Sequence, residues 1–217
     1  MGARSEKAKS TEKVRRLEPE DVRRRQLILA TIEAIAEVGF NAATVGEIAR
    51  RAGVSVGLVA FYFQDKDGLL EATLRHLAGQ LAATYVDLLR HAASPRARIE
   101  AMIEANLGAE QFDRRIATVW LAFWGQVPVR PRFARIQRVY ERRMVANLTH
   151  DFAMVLARPE AARLAAATAA MIDGAWLRAT LSAEPRHAGE ARAMVSTFVD
   201  AQLALVGIAL FRKDPRS

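Results

Sequence analysis

The stretch from Thr44 to Lys66, TVGEIARRAGVSVGLVAFYFQDK, constrains this chain more than any other. Thr44 is a natural N-cap, Glu47 stands three residues on to complete a capping box, and Ile48 and Ala49 give the following turn an apolar side. Gly53 supplies the positive φ that a tight helix-to-helix turn needs, and Val54 beside it can plug the angle between the helices. Ser55 then caps a second short helix, Val56 to Phe63, whose outer face carries small or aromatic side chains. The pattern predicts a helix-turn-helix with its second helix in the major groove. The same residues include Gly53-Val54-Ser55-Val56-Gly57, which fits the G-x-S-x-G of a hydrolase nucleophile elbow. That elbow requires a strand running into the serine, whereas the preceding EIARRA is rich in helix formers, so the match carries no chemistry.

The rest of the chain reads as all-α, with about nine helices. Alanine is abundant and aromatics are few, which favours helix over sheet. Residues 1 to 20 lack apolar periodicity and predict a disordered basic tail. From Asp21, apolar residues from Leu27 to Val38 mark a first helix ended by Gly39, so that residues 21–66 form a three-helix DNA-binding head. Asp65 caps a fourth helix with a leucine stripe from Leu69 to Leu88 that links head to body. Residues 67–211 form a helical body for ligand binding and dimerisation, with helices expected at about 96–107, 113–126, 131–156, 159–182 and 188–211 before a short tail, 212–217. Arg135, Arg138 and Arg142 on the long body helix are most simply a solvated face.

Charge and composition narrow the partners. The 217 residues hold 32 basic against 24 acidic side chains, a net of +8, which favours an anionic partner such as DNA. There is no cysteine, so disulfides and thiolate chemistry are excluded, and the four histidines lack metal-ligand spacing. The charged N-terminus and the absence of a long apolar run predict a cytoplasmic chain with no membrane partner, no metal and no cofactor.

All three tryptophans fall in the body. Trp120 and Trp124 are four residues apart with Phe123 beside them, and Trp176 follows Asp173 by three. Aromatic faces with one carboxylate suit a quaternary ammonium ion, which offers charge but no hydrogen-bond donor. Tryptophans at helical spacing also commonly fill a core, and the residues alone leave both readings open. The last two helices are long, alanine-rich and apolar over more than one face, as a four-helix interface between two copies would require.

Residues 25 to 74 resemble the N-terminal domain of the TetR family of bacterial repressors, through the A-x-x-A-G-V-S turn, the aromatic pair Phe61-Tyr62 and the K-D-x-L-L that opens the fourth helix. The resemblance implies phosphate contacts from Thr44 and Lys66, with Ser55, Val56, Gly57, Phe61 and Tyr62 at or near the groove. Ala60 stands where many members carry a tyrosine, so that contact is not carried over. The segments WLAFW, ERRMVANL and MIDGAWLRATLS extend the similarity to the BetI branch of the family, the choline-responsive repressors of glycine betaine synthesis. That similarity implies a homodimer on double-stranded operator DNA, with choline as effector and Trp120, Phe123, Trp124, Tyr140, Asp173 and Trp176 as ligand-binding candidates. An efflux-type regulator sensing a bulkier cation, an enzyme built on the Ser55 motif, and a helical interaction protein are the alternatives.

Overall fold

The computed structural model describes residues 20–182 and 188–205; the expected tails, Val206 to Phe211 of the last helix and His187 lie outside the described residues. The described residues form nine α-helices and no strand. Helix α1 (Glu20–Ala42) breaks its regular geometry at Gly39, with φ 80° and ψ 167°, a conformation that side-chain-bearing residues avoid. Helices α2 (Val45–Arg51) and α3 (Val56–Phe63) are joined through Gly53, at φ 64°. Ile48 and Val59 from this pair are buried in the same core as the α1 residues Leu27 and Ile35.

Helix α4 (Lys66–Arg90) starts on the Asp65 side chain, which accepts from the Gly68 amide at 2.6 Å. Its buried Leu69, Leu70, Leu74, Leu77 and Leu81 follow the expected stripe, while Leu88 is half-buried. The body then comprises α5 (Pro95–Leu107), a 3-10 turn (Ala109–Phe112), α6 (Arg114–Trp124), α7 (Pro131–Phe152), α8 (Arg158–Leu181) and α9 (Ala188–Leu205). Helix α7 ends four residues short of the expected Leu156, where the chain turns through Ala153 to Leu156 with hydrogen bonds back to Thr149, Asp151 and Phe152. The buried side chains form one continuous core from Leu27 in the head to Leu203 in the body.

The capping box at Thr44 is only half built. Its hydroxyl accepts from the Glu47 amide at 3.2 Å, but the Glu47 carboxylate turns to Arg50 and Arg51, at 2.7 and 2.6 Å. These two guanidiniums hold the Glu47 carboxyl down at about 2. Two guanidiniums offer the carboxylate more charge and more donors than one backbone N–H, and the Thr44 amide donates to the Ala42 carbonyl at 2.7 Å instead.

Candidate nucleic-acid interface and effector pocket

The recognition helix α3 is anchored from behind and open in front. Val59 and Phe63 are buried, the Arg24 guanidinium lies 4.6 Å from the Phe63 ring centre, and it donates to the Tyr62 carbonyl at 2.6 Å. Ser55, Val56, Gly57 and Phe61 are exposed, Phe61 to 76%. Tyr62 is half-buried with its ring edge-on to Phe61 at 5.1 Å. Ser55 stands at the N-cap position with extended backbone, but its hydroxyl makes no capping bond. No strand leads into Ser55; the residues ahead of it are α2 and its turn. Thr44 is exposed at the start of α2, and Lys66, half-buried at the start of α4, has its ammonium pKa lowered by burial and by the neighbouring Arg130. Both helix starts present backbone amides suited to an anionic oxygen.

In the body, α6 and α8 bring the three tryptophans together. Trp124 and Trp176 meet edge to face with ring centres 5.0 Å apart. Trp120, Trp124, Trp176, Tyr140 and Asp173 line one pocket with Asn106 and Gln111, and its free volume is only about 30 Å³. Trp176 donates its indole N–H to the Gln111 carbonyl at 2.9 Å, which fixes the ring plane. Tyr140 donates its hydroxyl to Asn106, and Asn106 donates to the Met102 carbonyl at 2.8 Å. Asp173 has no hydrogen bond or ion pair among the described residues; burial and the nearby Glu141 push its carboxyl up to about 6. Burial and the Asp173 carboxylate likewise raise the Tyr140 phenol. The cage therefore holds an acid that lacks a cation, among ring faces that attract one.

Phe123 is a correction to the expected ligand set. It is fully buried and stacks edge-on with Phe40 of α1 at 5.8 Å and Phe133 of α7 at 5.5 Å, outside the pocket. Helix α6 thus carries the cage on one side and the junction with the head on another. Arg130 caps that junction, 5.5 Å from the Phe40 ring and paired with Asp67 of α4. Sequence reasoning missed Leu81, Asn106, Gln111 and Ile172 as cage walls. Apolar, amide and backbone groups carry no signal of their own at long sequence separation.

Comparison with known proteins gives the family. Residues 27–73 match the family model described as bacterial regulatory proteins, tetR family, and residues 95–204 match BetI-type transcriptional repressor, C-terminal. The chain belongs to the TetR family. A curated family member, HTH-type transcriptional regulator BetI 2 of Chromohalobacter salexigens, is 47% identical over 87% of this chain and 92% of its own. Among solved structures, a transcriptional regulator of Pseudomonas aeruginosa PAO1 is 30% identical with a TM-score of 0.77, covering 88% of this chain and 95% of that one. A regulator from Saccharomonospora viridis in complex with choline shares the fold, with a TM-score of 0.71 at 19% identity, over 83% of this chain and 96% of that one. As a TetR-family, BetI-type transcriptional repressor the protein is a DNA-binding regulator and not an enzyme. No helix among the described residues is long and apolar enough to cross a membrane.

Proposed function

We propose that the protein is a cytoplasmic homodimer that represses genes of choline uptake and oxidation to glycine betaine, and that choline relieves the repression. The observation that carries this reading is the half-buried Asp173 carboxyl, without an ion-pair partner among the described residues, which lines one pocket with Trp120, Trp124, Trp176 and Tyr140. A trimethylammonium group fits that chemistry, because it is cationic, apolar at its surface and unable to donate hydrogen bonds. Such a narrow cage favours choline over bulkier lipophilic cations.

The narrowness also suggests how binding reaches the DNA. A cage of about 30 Å³ admits a trimethylammonium head only if the Trp124 and Trp176 rings part, so choline stabilises a different placement of α6. Phe123 on that helix presses on Phe40 of the head, and a shift there tilts α1 and the recognition helix. Two heads spaced for half-sites about 34 Å apart lose register when tilted. A coupling of about 1–3 kcal/mol between the sites is ordinary for such a switch. Dimerisation through α8 and α9 is supported by their exposed Leu181, Met194 and Leu205.

The test is fluorescence anisotropy of a labelled fragment from upstream of the protein's own gene, titrated with protein and then with choline or its neutral isostere 3,3-dimethylbutanol. Release by choline alone is the expected result. Tight binding indifferent to choline would return the tryptophans to a packing role.

A further inference from the structure

A second and larger cavity lies on the other side of the Tyr140–Asn106 pair, between α4, α5 and α7. Its free volume is about 550 Å³, within the range of small-molecule sites. The walls are largely apolar, with Tyr85, Met102 and Met144 among aliphatic side chains and the amides Asn106 and Asn147 beside them, and Val86 and Val139 remain 49% and 38% exposed. Four arginines line it, Arg75, Arg98, Arg135 and Arg143, and no acidic residue does. Two of the four are matched from outside the lining: Arg75 by Glu71 at 2.8 Å, and Arg98 by the buried Asp151 at 2.6 Å. Arg135 and Arg143 have no ion-pair partner among the described residues. They are eight residues apart on α7, about 12 Å along the axis, and so frame the length of the groove.

The arginine stripe of α7 is therefore two surfaces. Arg138 and Arg142 point to solvent, the latter donating to the Arg138 carbonyl, whereas Arg135 stands with Arg143 at the cavity. We infer that the α4–α7 groove is a second effector site, taking an aliphatic carboxylate whose chain lies on the apolar wall and whose head group pairs with Arg135 or Arg143. A guanidinium offers a carboxylate two parallel donors, and the apolar wall supplies chain burial that an inorganic anion cannot use.

Calorimetric titration of the full-length protein with decanoate, below its micelle concentration, tests this site. One decanoate per protomer is expected, with decanol binding at least tenfold more weakly. The double variant Arg135→Ser/Arg143→Ser should weaken decanoate at least tenfold, while the charge-matched control Arg138→Ser/Arg142→Ser leaves it within twofold. Both pairs are exposed, so thermal unfolding should be unchanged in both. No binding, equal binding of decanol, or equal loss in the two double variants would overturn the proposal. The choline experiment does not enter this test, so either proposal can fail alone.

Discussion

Helix α6 holds two aromatic clusters that look alike in sequence and differ in kind. On one side, Trp120 and Trp124 join Trp176 and Tyr140 around a carboxyl, with a cavity and polar atoms at the walls. On the other, Phe123 joins Phe40 and Phe133 in a closed edge-to-face trio. The first cluster has an electrostatic vacancy for a cation; the second has only packing, with Arg130 already over its rings. Aromatic content alone therefore does not make a ligand site. What distinguishes the cage is a half-buried carboxyl without an ion-pair partner among the described residues, beside a cavity.

The largest expected effect breaks the packing cluster. Phe123→Ala should destabilise the protein by about 3–5 kcal/mol, read as the midpoint of chemical unfolding. The milder Phe123→Leu, which keeps most of the volume, should retain choline affinity but reduce choline's effect on operator release. If its choline affinity fell as far as that of a tryptophan variant, the division between the two clusters would be wrong.

Next comes the cage. Trp176→Ala should remove about 2 kcal/mol of choline binding, roughly 30-fold in Kd, with operator affinity nearly intact. Asp173→Asn should also weaken choline and blunt the choline response, because the Coulomb attraction is lost while the rings remain. A variant that loses DNA binding and folding together would make these residues simple core.

A smaller effect concerns pH. The Asp173 carboxyl is raised to about 6 by burial and by Glu141, so it is neutral in acid and charged at neutrality. Choline affinity should therefore fall as pH drops through about 6, and Asp173→Asn should flatten that dependence. The sign for stability is opposite. The folded state holds this proton more tightly than the unfolded chain, so its contribution to stability declines as pH rises from about 4 to about 6.

The smallest effect lies at the start of α4, where Lys66 neighbours the Arg130 that covers the phenylalanine trio. Lys66→Ala should weaken binding to all DNA sequences alike and lower the salt slope by about 1. Sequence-selective loss would exclude a phosphate role for this lysine.

Local chemistry determined much of this molecule in the sequence itself. Gly53 at its positive φ, the Asp65 cap and the leucine period of α4 depend on residues within a turn or two, and the helices they define lie where those signals put them. Pairing across distance was another matter. Trp176 reaches a backbone carbonyl 65 residues away, and Phe123 and Trp124, adjacent in the chain, are sorted to different neighbours by α1 and α8. The half-made capping box at Thr44 is by contrast a local competition, in which Arg50 and Arg51, within one turn, take the Glu47 carboxylate from the amide. Helical spacing says which side chains share a face, but only the helices packed around α6 and α7 decide which aromatics line a carboxyl, which fill a core and which arginines border a cavity.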